Sequence, residues 1–327
     1  MRLIRNLAIA AILISWAAAA VPQPSFAGDR SMDRVKDKDR RHADGQRPRK
    51  QDRNPEEGLE VTFRRDPFLR PDLLLEGDAR PRLRWRRDEP AFPGDSHGSL
   101  TALYDATLPA GRLGFMLPRP LTQDDPFTAA AVFIIDAAGF TADPAGFFQI
   151  SWGLWNSSTT GLERTGTPDN FATDTFELLE FDYFPNVSAF GGPFLSPSVA
   201  GMADLQDPLF TLLGAFSNFT FASVQSELPL GAPLLAVMRH RPAEGILAIS
   251  VFRIISRRNL EPVPGAQVQV PLLALSPRAY LLDAAGLTLW RDGFSGSEPS
   301  LRANVIFHGL VVRTGSEARL QRFFPHR

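Results

Sequence analysis

Between Leu59 and Val312 this chain does not sustain a helical period. It runs instead as short stretches of Val, Ile, Leu, Phe and Thr, broken every few residues by Pro, Gly or Asp. Apolar runs of four to eight residues bounded by turn formers are the pattern of strands, and many of them in succession require two sheets packed face to face. The expected strands are Glu60–Phe63, Leu73–Glu76, Leu83–Arg86, Ser99–Tyr104, Ala110–Met116, Thr128–Asp136, Phe147–Leu154, Phe176–Tyr183, Phe219–Val224, Pro233–Arg239, Ile246–Ile254, Ala266–Pro271, Gly286–Trp290 and Ala303–Val312. Leu205 to Phe216 reads either as one short helix or as an irregular excursion. Ala131–Ile135 and Ile246–Ile255 have the composition of central strands. In the second of these, Leu247, Ile249 and Val251 alternate with the other face. The fold class is therefore all-β, a two-sheet sandwich, and 327 residues suffice for a sizeable core.

The N-terminus is a different material. Met1 to Ala27 carries Arg2 and Arg5, an apolar run from Leu7 to Val21, and the small-residue end Ser25-Phe26-Ala27, the three parts of a secretory signal. The run is shorter than the roughly 20 residues that span a bilayer. Residues 28–58 mix Arg, Lys and Asp with almost no large apolar side chain, and read as a charged linker unable to bury a core. The sandwich is expected over 59–315 and a C-terminal tail over 316–327. An exported chain without a single cysteine has no disulfide framework, thiol nucleophile or thiolate metal site, which points to a secreted or periplasmic bacterial protein. A formal net charge of −1 offers no electrostatic case for nucleic acid. The five histidines, at 42, 97, 240, 308 and 326, are scattered singly, without metal-ligand spacing.

Chemistry concentrates in Phe176-Glu-Leu-Leu-Glu-Phe-Asp-Tyr-Phe-Pro-Asn186. On a strand, Glu180 and Asp182 point the same way, and Pro185 ends the ladder in a loop from which Asn186 can turn back. Hard oxygen ligands at a strand end are suited to Ca²⁺, and the same pattern also suits a strand with a solvated acidic face. Trp152 and Trp155 could offer ring faces to a pyranose or pack in the core. Asp292 to Glu298 is a polar, glycine-rich loop that could rim a ligand or simply join two strands.

Several segments in order, Asp72-Leu-Leu-Leu-Glu-Gly-Asp78, Gly111-Arg-Leu-Gly-Phe-Met-Leu-Pro118, Phe127-Thr-Ala-Ala-Ala-Val-Phe-Ile-Ile135, Ala142-Asp-Pro-Ala-Gly-Phe-Phe148, Gly153-Leu-Trp-Asn156 and Leu179-Glu-Phe-Asp-Tyr-Phe-Pro-Asn186, resemble the equivalent segments of legume (L-type) lectins. The resemblance implies a concanavalin A-like jelly roll with a saccharide site beside bound metal. By that likeness Glu180 would hold a transition metal and Asp182 would bridge it to Ca²⁺. Phe184 would lend its carbonyl, and Asn186 its side-chain oxygen, to Ca²⁺. Asp143 would accept from sugar hydroxyls with Asn186. Val187 to Val199 contains neither the second bridging acid nor the histidine of those lectins, so the cofactor is expected to be none, or a single weakly held Ca²⁺. Laminarinase-type glucanases share the jelly roll, but their second catalytic Glu has no counterpart after Asp182, and Glu177 falls on the opposite face of a regular strand.

The expectation is an exported, non-catalytic, lectin-like protein that binds carbohydrate through Asp143, Asn186, Trp152 and Trp155, with Glu180, Asp182, Phe184 and Asn186 as the metal set. The alternative is a jelly-roll interaction module that has lost both metal and sugar.

Overall fold

The computed structural model describes residues 58–87, 98–136, 149–162, 177–185, 192–201, 219–256, 259–272, 280–291 and 302–315. The chain divides into two compact units, Met1–Pro55 and Glu56–Arg327, and every described residue belongs to the second. Seventeen strands follow one another: β1 (Gly58–Thr62), β2 (Leu73–Gly77), β3 (Leu83–Arg86), β4 (Ser99–Asp105), β5 (Gly111–Thr122), β6 (Phe127–Ile135), β7 (Ile150–Trp155), β8 (Leu178–Phe184), β9 (Phe194–Leu195), β10 (Ser198–Ala200), β11 (Phe219–Phe221), β12 (Val224–Gln225), β13 (Leu234–Arg241), β14 (Ile246–Ser256), β15 (Asn259–Pro271), β16 (Leu281–Leu289) and β17 (Arg302–Thr314). Apart from three short 3₁₀ turns, no helix occurs among the described residues.

The first sheet has the order β15-β14-β13-β6-β17-β4-β3, with β1 beside β17; the second runs β11-β10-β8-β7-β16-β5-β2, with β9 and β12 added at the β8 end. The chain passes from β4 in the first sheet to β5 in the second, back to β6, over to β7, and later from β15 to β16 to β17. That alternation winds both sheets together as a jelly roll, the all-β sandwich expected. All pairings are antiparallel.

Strand alternation explains which side chains make the core. On β6, Phe127, Ala129, Ala131, Phe133 and Ile135 face the second sheet; on β8, Leu179, Phe181 and Tyr183 face the first. Phe133 meets Phe181 edge-on at 6.0 Å and Phe307 at 5.8 Å, so aromatic rings tie the sheets together at mid-sandwich. The sequence underestimates several strands. β15 extends back to Asn259 through Pro262 and Pro264 because it is the last strand of its sheet, where a proline need not donate to a second neighbour. β16 begins at Leu281, five residues before the expected start, because Leu281-Leu-Asp-Ala-Ala pairs with β5 across a register shift between Leu282 and Ala284. The two-residue β9 and β12 and three-residue β10 are too short to show any periodicity.

One end of the sandwich is closed by a histidine. His240, 1% exposed, donates from Nδ1 to the Asp125 carbonyl at 2.7 Å, accepts at Nε2 from the Tyr280 hydroxyl, and stacks on Phe127 at 4.7 Å. It thereby joins β13, the β5–β6 turn and the residue before β16. Burial lowers its pKa, against the raising influence of the Asp125 carbonyl and of the Asp125 and Asp124 charges. Above about pH 6.5, the ordinary imidazole value, folded and unfolded chains both hold it neutral and it adds no pH dependence. Below that, the unfolded chain takes up a proton that the folded chain refuses, so stability falls with pH until the folded imidazole titrates as well. Chemical denaturation measured at steps below pH 6.5 should show this decline in the natural protein, and His240→Gln should flatten it. An equal slope in both would assign the acid sensitivity to other groups.

Candidate functional site

The face of the second sheet turned away from the core carries the chemistry. Register places Arg112, Thr288, Ser151 and Asp182 in one row across β5, β16, β7 and β8. A second row runs Gly114, Gly286, Gly153, Glu180, Ser198 and Phe221, continuing onto β10 and β11. Glu180 and Asp182 thus share one face, as the alternation in Phe176–Asn186 requires.

Both carboxylates are 2% exposed, and each holds a neutral donor. The Trp290 indole N–H donates to Glu180 Oε1 at 2.9 Å, and the Ser198 hydroxyl donates to Asp182 Oδ2 at 3.0 Å. Their influence reaches through the sheet. Tyr104, whose hydroxyl donates to the Ser151 carbonyl at 2.6 Å, has its pKa pushed well above the usual phenol value by burial and then by the charge of Glu180.

A second apolar cluster covers part of this face: Trp155, Trp290, Leu178, Ala200 and Ala284, with Leu74 and Met116 against them. The Trp155 ring lies over Gly114, where a Cβ would come within 2.4 Å of its Cζ2. Arg112, only 1% exposed, sets its guanidinium over Trp155 at 4.8 Å and reaches Glu76 at 3.2 Å and the carbonyls of Thr160 and Gly161 at 3.1 and 2.9 Å. A buried cation is tolerable where aromatic faces and several acceptors replace its water. The same loop is held from its other end by Glu177, which accepts from Asn156 Nδ2 (3.1 Å), the Thr159 hydroxyl (2.8 Å) and the Leu281 N–H (2.7 Å). Glu177 is a tether for Asn156–Leu162.

These positions correct one sequence expectation. Trp152 is fully buried between the sheets, stacked on Phe181 at 5.6 Å, and Trp155 lies beneath Arg112 at 2% exposure. Neither presents a ring to a sugar. Three residues apart, they point to opposite faces of a strand buried on both, so each packs in a cluster of its own. Of the expected calcium set, Glu180 and Asp182 each have one oxygen taken by a neutral donor, an indole and a hydroxyl, and no group of three or more His, Asp or Glu placed to hold a metal occurs among the described residues. Asp143, Asn186, the loop Asp292 to Glu298 and the segment Leu205 to Phe216 lie outside the described residues.

Among the described residues, the aromatic rings that remain partly exposed on this face are Phe184 and Phe221, at the β8–β11 end, near the Asp182–Ser198 hydrogen bond. Sequence reasoning missed Ser198, which sits in a strand too short to recognise, and gave no role to Phe221, although it lies in the expected strand Phe219–Val224. It also passed over Arg112 and Trp290. The lone cation in the apolar run Gly111–Met116 was the available signal for a buried partner.

No protein family matches the chain, and no curated protein matches it. Among solved structures, the chain is similar to the winged bean acidic lectin complexed with methyl-α-D-galactose, at 12% identity and a TM-score of 0.42 over 79% of this chain and 100% of that one. Peanut lectin gives 12% identity and a TM-score of 0.42, covering 80% and 100%. The endo-β-1,4-glucuronan lyase of the fungus Trichoderma reesei gives 10% and 0.44, covering 74% and 90%. A lectin and a lyase thus resemble the chain to the same degree, and identities this low assign no chemistry to its residues.

Proposed function

We propose that this jelly roll is an exported, non-catalytic carbohydrate-binding protein whose ligand lies on the outer face of the second sheet at its β8–β11 end. The observation that carries the reading is the pair of partly exposed rings, Phe184 and Phe221, near the Asp182 carboxylate held by Ser198. A pyranose has apolar C–H faces that pack on aromatic rings, so the two rings suit it, and the buried Asp182 carboxylate, held by Ser198, fixes the strands that carry them. Residues 1–27 support export. Glu177, the third acid near β8, is tied to the loop Asn156–Leu162 and does not join Glu180 and Asp182 on their face.

The test is a glycan array on the purified protein, followed by calorimetric titration of Phe184→Ala and Asp182→Asn. Phe184→Ala should weaken binding about tenfold, the loss of one ring contact of roughly 1.4 kcal/mol, and lower the melting temperature modestly because it also removes the stack on Phe194. A protein that binds no glycan would instead be an interaction module, a reading that the burial of Trp152 and Trp155 favours. Metal is a separate question with its own readout. Thermal unfolding should be the same in EDTA and in millimolar Ca²⁺, because a ligand of the native state raises the midpoint only if a site exists. A reproducible Ca²⁺-dependent rise would restore the metal loop and bring Asn186 into it.

A further inference from the structure

We propose that an arginine edge at the β3 end of the first sheet binds linear acidic polysaccharide, at a place separate from the outer face of the second sheet. Every cation from Leu59 to Arg327 is an arginine; the lysines, at 36, 38 and 50, all precede the sandwich. Five exposed arginines, Arg64, Arg65, Arg84, Arg86 and Arg87, lie in two short segments of the chain; Arg80, Arg253, Arg291 and Arg302 are exposed elsewhere. The fold draws the five together. β3 is the last strand of its sheet, and Trp85 turns inward and donates its indole N–H to the Phe63 carbonyl at 2.8 Å. Gly98 sits where these segments meet: a Cβ there would lie 2.2 Å from the Phe63 oxygen, 2.8 Å from that of Arg86 and 2.9 Å from that of Arg87. Arg64 and Arg65 therefore leave the backbone beside Arg86 and Arg87, although more than twenty residues separate the pairs in sequence.

Alternation puts Arg84 and Arg86 on one face of β3, about 7 Å apart, with the neutral Thr101 and Ser99 opposite them on β4. Along the chain, Asp66, Asp88, Glu89 and Asp95 flank these segments, four acids against five arginines. A guanidinium binds carboxylate or sulfate through two parallel hydrogen bonds, which an ammonium cannot do. A row of them along an extended strand suits a linear polymer with an anionic group on successive units. The choice of a polysaccharide over other polyanions rests on the carbohydrate reading given above.

The probes are polygalacturonate, dextran sulfate, unmodified dextran and duplex DNA, each titrated at about 50 mM salt, where screening is still weak, and again at higher salt. The expected result is binding of the two acidic polysaccharides, none of neutral dextran, and loss with added salt. Arg84→Glu with Arg86→Glu should reduce that affinity at least tenfold, with circular dichroism checking that the fold is kept. Asp182→Asn should leave it intact. Absence of polyanion binding, indifference to the double substitution, or equal or stronger binding of DNA would each overturn the proposal. So would loss of polyanion binding in Asp182→Asn, which would place the anion on the second sheet. Failure here, with Asp182-dependent binding of neutral glycans retained, would leave the carbohydrate reading standing.

Discussion

Trp152→Ala should destabilise the protein by about 3–5 kcal/mol, the usual range for deleting a large buried aromatic, and lower the melting temperature on the order of 10 °C. The ring is fully buried, stacks on Phe181, and lies in a row with Leu113 and Leu287 that faces the first sheet. Phe181 in turn meets Phe133, which meets Phe307, so the cavity left behind would sit in the chain of rings that joins the sheets. Strands on both sides are pinned by ladder hydrogen bonds and can close only part of it. Trp152→Phe should recover much of the loss, because it keeps the stack on Phe181. Urea unfolding followed by circular dichroism would measure both. A Trp152→Ala protein as stable as the parent, yet defective in glycan binding, would return this residue to the surface role that the sequence suggested.

Gly153→Ala should be worse than its single added methyl group suggests. A Cβ at that position would lie 2.1 Å from the Leu179 carbonyl oxygen and 2.9 Å from the Glu180 Cα. Both atoms belong to the backbone of β8, so no side chain can rotate away, and relief requires β7 and β8 to shift apart. Overpacking of this kind costs about 1–3 kcal/mol even where neighbours can move, and here the expected loss is about 3 kcal/mol or more. The shift would also carry Glu180 away from Trp290, so quenching of indole fluorescence by the carboxylate offers a second readout. Gly161→Ala is the matched control, since a Cβ at Gly161 meets nothing within 4 Å. Near-equal stability of the two variants would show that β7 and β8 pair less tightly than described.

The two predictions mark a division between kinds of information. Burial of Ala131–Ile135 and Leu247-Ile249-Val251 followed from composition and alternation, because a strand has one period and a hydrophobic face has to be covered. The sequence likewise placed Glu180 and Asp182 on a common face, which needs only the alternation of one strand. It did not say what that face would meet. A strand pattern is silent about whether the next layer is water, a ligand or another part of the chain. For β7 and β8 the answer is protein on both sides, with Arg112, Trp155 and Trp290 over the outer surface. That is why two tryptophans with the composition of a sugar platform became core, and why two acids with the spacing of a calcium loop hold an indole and a hydroxyl.

The sequence by itself determined the all-β class, the course of the long strands and the alternation that sets each face, since these depend on neighbours a few residues apart. Tertiary structure alone decided the pairing partners of β9, β10 and β12, the closure of the sandwich end by His240 and Tyr280, and the convergence of Arg64 and Arg65 with Arg86 and Arg87. Each of these joins segments distant along the chain, and local propensity carries no information about which distant segment will supply the missing hydrogen bond or the opposing surface.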